Sequence, residues 1–344
     1  MPSTAISKTC LLIINAVYQT NIYYGMPMLS DLRHSLKTEL DQVQNMINEA
    51  TFSDITLIQT IHSYALNQPE KKLIRPLIIL LLAKSANYKG QAHIVLAAII
   101  EMIHGATLLH DDVIDKADTR RNKASAHKQF GATQSILMGD FIYASAFQLI
   151  AKLNNANMTQ ILARATKEIV EGEILQLSFQ GNPNIQLKEY FSIIRGKTAL
   201  LFSTGAHCVE EITTQSGFRL SDYAHHFGML YQITDDILDI DTDNTELNKS
   251  HGTDLKEGKM TLPVILAYKH ATTRDKKTIE DILLQNQSWG NILPILERTK
   301  AIELCKPYLT HHMAMGASAL AALPDSQHKK YLLNLLSYVP KRKC

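Results

Sequence analysis

Glycine and proline are scarce in this chain, at 15 and 10 of 344 residues, where globular proteins average about 7% and about 5%. A sequence so poor in turn-formers has little use for hairpins, which weakens all-β architectures and glycine-rich nucleotide folds. An excess of one charge is also missing. The 35 Lys+Arg stand against 33 Asp+Glu, so nothing in the balance calls for nucleic acid as a partner. Four cysteines, Cys10, Cys208, Cys305 and Cys344, lie far apart and form no CxxC. Neither a zinc site nor a disulfide framework is indicated, and a reducing cytoplasm suits them. No window reads as the roughly 18–20 apolar residues of a membrane span. The nearest, Cys10 to Val17, is interrupted by Asn15, and one lysine (Lys8) with no small-residue cleavage site makes a poor signal peptide. HExxH, GxSxG and GxxxxGK[ST] are absent, which leaves metalloprotease, hydrolase and P-loop chemistries without support.

What the chain does have is helical periodicity. Leu29, Leu32, Leu36, Leu40, Val43, Met46 and Ile47 recur at spacings of three and four, a stripe for one helix face. Similar patterns run through Leu73–Ala86, His93–His110, Thr133–Ala151, Met158–Phe179, Leu187–Glu211 and Leu220–Asp239. Ile74–Leu82 is apolar nearly all round and reads as a core helix, with Pro76 in its first turn, where a missing N–H costs little. Breaks fall at 67–69, 87–90, 181–184 and 241–258. The last is a long polar loop, and loops of that length in a compact domain are usually functional or disordered. One all-α domain follows.

Two acidic clusters end two of these helical runs: Asp111-Asp112-Val113-Ile114-Asp115 and Asp235-Asp236-Ile237-Leu238-Asp239. Residues four apart on a helix are neighbours, so Asp111 faces Asp115 and Asp235 faces Asp239. Like charges repel there, and a helix C-terminus disfavours anions. A solvated acidic turn is the plain alternative for one such pattern. Two copies, each closing an apolar helix, point instead to a hard divalent cation such as Mg²⁺, which bridges carboxylates to phosphate oxygens. Basic residues stand near them in sequence: Lys72 and Arg75, Arg120-Arg121, Lys197, Lys249 and Lys259. Cations beside metal-binding carboxylates suggest a phosphate-rich substrate, although any one of them alone is more often a surface charge. His104, His127, His207, His225 and His226 read as ordinary packed histidines.

His104-Gly-Ala-Thr-Leu-Leu-His-Asp-Asp-Val-Ile-Asp115, Arg120-Arg121, Gly139-Asp140, Glu171-Gly-Glu173 and Lys197-Thr198 follow in order. After them come Tyr231-Gln-Ile-Thr-Asp-Asp-Ile-Leu-Asp239 and Gly252-Thr-Asp-Leu-Lys-Glu-Gly-Lys-Met-Thr-Leu-Pro263. With these motifs the chain resembles the trans-isoprenyl diphosphate synthases, and among them the long-chain, octaprenyl-like polyprenyl diphosphate synthases. The likeness runs from about Met28, leaving 1–27 as an N-terminal extension and 28–344 as the synthase domain.

The resemblance implies a single-domain helical bundle with a deep central cavity, forming a cytoplasmic homodimer. It implies repeated condensation of an allylic diphosphate (farnesyl or similar) with isopentenyl diphosphate, for ubiquinone-type side chains, with a membrane-bound product. Carried over by position, Asp111, Asp115 and Asp235 would ligate three Mg²⁺ ions, for which Mn²⁺ can substitute. Asp112, Asp236 and Asp239 would act through the outer shell. Arg120, Lys197, Lys249 and Lys259 would face the allylic diphosphate, with Thr198 and Gln232 near the developing cation. Lys72, Arg75, His104 and Arg121 would hold isopentenyl diphosphate. Two departures stand out: Glu70-Lys71-Lys72-Leu73-Ile74-Arg75-Pro76 lacks the family's paired glycines, and Asn122 replaces a usual glycine.

Product length in such enzymes is read just before the first acidic motif. Gly105, Ala106 and Thr107 are small there, so a long product follows, about C40 if each isoprene unit needs roughly one helical turn of ~5.4 Å. Ile99, Met102 and Phe147 are candidates for the cavity floor. A geranylgeranyl-type synthase, a non-catalytic isoprenoid-diphosphate-binding partner subunit and a terpene cyclase are the alternatives. Both complete acidic motifs speak against the partner subunit, and Lys72, Arg75 and His104 against the cyclase.

Overall fold

A computed structural model describes residues 29–66, 73–120, 123–213, 217–240 and 252–342. The extension 1–27, Lys72, Arg121 and Lys249 lie outside the described residues.

Helices α1 (Leu29–Ser35), α2 (Lys37–Ala50) and α3 (Thr56–Leu66) precede α4 (Ile74–Ser85) and α5 (Ala92–Ile114). The stripe expected as one helix is thus two. Leu36 breaks it, yet Leu32, Leu36, Leu40, Val43 and Ile47 all still point into the core. Pairing of Thr119–Arg120 with Lys123–Ala124 makes a two-residue antiparallel hairpin (β1, β2), the single strand pair among the described residues.

The chain continues with α6 (Ala126–Phe130), α7 (Ala132–Lys152), α8 (Ala156–Ser178) and α9 (Leu187–Ile194). A π turn over Arg195–Ala199 joins α9 to α10 (Leu200–Ile212), and α11 covers Leu220–Ile240. The run expected as one helix over 187–211 therefore carries a π bulge, a feature frequent at functional sites. Gly172 of α8 packs against it: a Cβ on Gly172 would lie 3.1 Å from Gly196 Cα. The later helices are α12 (Thr253–Lys256), α13 (Leu262–His270), α14 (Thr273–Leu283), α15 (Leu293–Thr299), α16 (Ala301–Ala319) and α17 (Gln327–Tyr338). The described end of the expected 241–258 loop is not all loop. Gly252, at φ 69°, starts the one-turn helix α12.

Two apolar cores meet along α11. Tyr223, Phe227 and Leu230 join the core built by α2, α4, α5 and α10. Met229, Ile233 and Ile240 join the core of α9 and α13–α16. The centre of the first core is α5, where Leu96 to Ile100 are wholly buried, each large side chain contributing about 1.5–3 kcal/mol. By length and composition α5 could cross a membrane, contrary to the expectation that no window could. Its most apolar stretch is 72% buried inside the protein, so it is the central core helix. The first acidic motif stands at the end of α5 and the second at the end of α11.

One proposed floor residue is misplaced. Ile99 and Met102 are buried, but Phe147 is exposed on the outer face of α7. Eleven residues, three turns, separate it from exposed Ile136 on the same face.

Candidate active site

The last turn of α5 presents Asp111 and Asp112, with Asp115 as its C-cap. Asp112 is 2% exposed. Arg120 holds it, with Nη2 2.6 Å and Nε 2.7 Å from Asp112 Oδ1. From the other motif's side, Lys259 Nζ reaches Asp115 Oδ2 at 3.0 Å and Glu257 Oε2 at 2.6 Å. Burial alone would make Lys259 less basic, but Asp115, Glu257 and Asp254 outweigh it and hold its pKa above the ordinary lysine value. The Asp111 pKa is pushed up to about 6, first by burial and then by Glu173 and Asp115, with Lys197 and Arg120 opposing. Lys197, on the π turn, donates to Glu173 Oε2 at 2.8 Å.

On α11 the three aspartates have separate surroundings. Asp236 is 2% exposed and accepts from Tyr190 Oη at 2.6 Å and Gln232 Nε2 at 2.9 Å. Thr198 Oγ1 in turn donates to Gln232 Oε1 at 2.7 Å, which fixes the amide's orientation. Burial first, and Asp235 with it, push the Asp236 pKa up to about 6 against those hydrogen bonds. Asp239 caps α12: the N–H groups of Thr253 and Asp254 donate to its two oxygens at 3.1 and 3.2 Å. Asp254 lies behind it, half-buried, its pKa raised to about 8 by burial and by Asp239 and Asp236. Asp235 meets Arg342, whose Nη2 is 2.5 Å from Oδ1 and 3.0 Å from Tyr231 O. The Arg342 guanidinium stacks 3.9 Å from the Tyr231 ring, its side chain 7% exposed.

Lys197, Thr198, Gln232, Asp236, Asp254 and Lys259 line one cavity. Arg120 is not among them. It lines a second cavity with Glu101, Gly105 and Asp112, while Arg120 and Lys197 both act on Asp111. Arg75 is half-buried at the start of α4, 4.6 Å from the Phe202 ring centroid. Burial lowers its basicity, with Glu101, Tyr231 and Asp235 opposing, and its Nε has no hydrogen-bond partner among the described residues. An orphaned guanidinium N–H beside an acidic site is what a phosphate oxygen satisfies. Leu73, the N-cap of Arg75's helix, sits at φ 47°, a left-handed conformation costing about 1–2 kcal/mol. His104 is half-buried one turn below Thr107, whose hydroxyl donates to His104 O at 2.8 Å. Ala106 is wholly buried.

Tyr190, Asp254, Glu257 and Arg342 were not singled out from sequence. Asp254 and Glu257 lie inside a quoted motif, and Arg342 in a terminal basic run. Tyr190 carries no local signal.

The family model described as polyprenyl synthetase matches residues 55–294. The octaprenyl diphosphate synthase of Escherichia coli (strain K12) is 37% identical over 306 residues, covering 87% of this chain and 94% of its own. Among solved structures, a polyprenyl synthase from Caulobacter crescentus CB15, complexed with calcium and isoprenyl diphosphate, superposes with TM-score 0.85. It shares 30% identity, over 92% of this chain and 98% of that one. A decaprenyl diphosphate synthase from Rhodobacter capsulatus also gives 0.85, at 31% identity, over 92% of this chain and 100% of that one.

Proposed function

The chain belongs to the polyprenyl synthetase family, and from that premise we propose how this long-chain trans-prenyltransferase works and what it makes. It condenses an allylic diphosphate with isopentenyl diphosphate repeatedly, to an all-trans product of about C40. The observation that carries the residue assignment is Lys259, which bonds Asp115 of the first acidic motif and lines one cavity with Lys197 and with Asp236 of the second.

The family uses a divalent metal. Asp115 and Asp235 are each paired with a side-chain cation, Lys259 and Arg342, but the donor set is all carboxylate oxygen. These carboxylates therefore fit a hard cation. Asp111, Asp115 and Asp235 would hold it, three Mg²⁺ per site, and when bound it stabilises the charge that grows on the leaving diphosphate. Lys197 and Lys259 add positive charge on the same side of the cavity. Thr198 and Gln232 place oxygen dipoles near the developing cation, held in position by Asp236 and Tyr190. Arg75 and His104, with Lys72 and Arg121, hold isopentenyl diphosphate, and the orphaned Arg75 Nε supports that role. Apolar walls keep water from quenching the carbocation.

The working unit is a homodimer. Val170, Ile174 and Leu177 form an exposed apolar stripe at three- and four-residue spacing on α8, and Ile136, Leu137 and Phe147 are exposed on α7. Stripes of that kind mark an interface. The enzyme acts in the cytoplasm and delivers a membrane-soluble product, a quinone side-chain precursor.

Farnesyl diphosphate, labelled isopentenyl diphosphate and Mg²⁺ with the purified chain should give products centred on about C40. Arrest at C20 would favour a geranylgeranyl-type synthase, and binding without turnover a partner subunit.

A further inference from the structure

Two His-His pairs that prenyl transfer does not use meet where α11 packs on α16. His225 and His226 come from α11, His311 and His312 from α16. The Nδ1 atoms of His226 and His312 are 2.9 Å apart, with ring centroids 5.2 Å apart. His225 stands edge-on to His226 at 5.1 Å, and His311 lies 5.2 Å from His312 and 6.1 Å from His226. The nearby charges largely cancel: Arg219 pairs with Asp222 at 2.5 Å, and Arg195 acts mainly on His225. Burial and mutual proximity keep both central rings uncharged at neutral pH, with pKa values lowered to about 4 for His226 and about 3 for His312. Neutral imidazole is the form that ligates metal.

Without an ion, one Nδ1–H donates to the other Nδ1. The same separation suits coordination. With metal–nitrogen bonds of about 2.0–2.1 Å, two nitrogens 2.9 Å apart subtend about 90° at the ion. That is the cis angle of tetragonal Cu²⁺ or Ni²⁺, whereas tetrahedral Zn²⁺ would need about 3.3–3.4 Å.

We propose that His226 and His312 form a two-imidazole site for a late first-row divalent ion, Cu²⁺ or Ni²⁺, which clamps α11 to α16. No three His, Cys, Asp or Glu side chains among the described residues converge on one point, so water completes the coordination. His226 precedes Asp235 by nine residues, about 13.5 Å along α11. The site is therefore separate from the acidic motifs and acts on the helix that carries one of them.

The test is calorimetric titration of the untagged, full-length chain with NiCl₂, in excess Mg²⁺ to occupy the acidic motifs. One Ni²⁺ per chain should bind, and His226→Gln or His312→Gln should weaken it at least tenfold, while His207→Gln on α10 leaves it unchanged. Because a variant could misfold, Cu²⁺ electron paramagnetic resonance of the wild-type chain gives a second readout, with superhyperfine splitting from two nitrogens expected. Equal Ni²⁺ binding in all three variants, no binding at all, or a copper signal from oxygen donors alone would overturn the site.

Discussion

Lys259 Nζ lies 3.0 Å from Asp115 Oδ2, joining segments 144 residues apart in sequence. This one ion pair ties the loop after the second acidic motif to the end of the first motif's helix. Arg342 does the same for Asp235 from the C-terminal turn. Each carboxylate thus has a side-chain cation beside it, which offsets the repulsion of Asp pairs placed four residues apart.

EDTA should abolish turnover and Mg²⁺ should restore it. Asp111→Ala and Asp235→Ala should each lower kcat/KM by several orders of magnitude, because each removes a carboxylate that would hold the divalent cation against the leaving diphosphate. Activity in metal-free buffer equal to that with Mg²⁺ would refute the assignment.

Arg75→Ala and His104→Ala should raise the KM for isopentenyl diphosphate more than for the allylic substrate. A lost charge-assisted contact costs about 1.5–3 kcal/mol, or roughly tenfold to a hundredfold. Steady-state kinetics with each substrate varied in turn decide it. Equal changes in both would mean that the two diphosphate sites are wrongly assigned.

The acidic motifs and the main helices were legible because both rest on local spacing. An apolar face at spacings of three and four places α5 and α11, and the aspartates come with them. The partners of those aspartates were not legible. Tyr190 reaches Asp236 across 46 residues and Arg342 reaches Asp235 across 107, and no local pattern records either pairing. Phe147 shows the converse failure. Its apolar character is visible in sequence, but which face of α7 it occupies is decided by how α7 packs on α5. The His226–His312 contact has the same origin: two plain dipeptides brought together only by the packing of α11 on α16.

Ile174→Asp should convert the chain to a monomer in sedimentation experiments. Ile174 is 61% exposed on α8, so a carboxylate there disturbs no packing within the chain but would be desolvated at an interface. A dimer of unchanged stability would place the interface elsewhere.

Acid should destabilise the fold through the histidine pair. An unfolded histidine titrates near 6.5, while folded His226 and His312 have pKa values of about 4 and about 3. Between those values the unfolded chain binds more protons, so their contribution is full above about 6.5 and is lost as pH falls. Asp111 and Asp236, raised to about 6, act with the opposite sign over part of that window. The comparison must therefore be with a His226→Asn/His312→Asn chain, which keeps those aspartates. In metal-free buffer the wild-type Tm should fall more steeply between pH 6.5 and 4 than that of the variant, and parallel slopes would show that the pair carries no such linkage.

Ala106→Phe should shorten the dominant product to C15 or C20 while single condensations remain rapid. Ala106 is wholly buried and lies five residues, about 7.5 Å of helix rise, before Asp111. If the growing tail runs down α5, an aromatic ring there blocks its path without touching metal or diphosphate. If the position is only packed core, the extra volume costs about 1–3 kcal/mol of stability and leaves the products as they were. Sizing the products and melting the same variant separates the two. A shortened product identifies Ala106 as cavity wall, whereas an unchanged length with a lowered Tm means that the tail does not pass it.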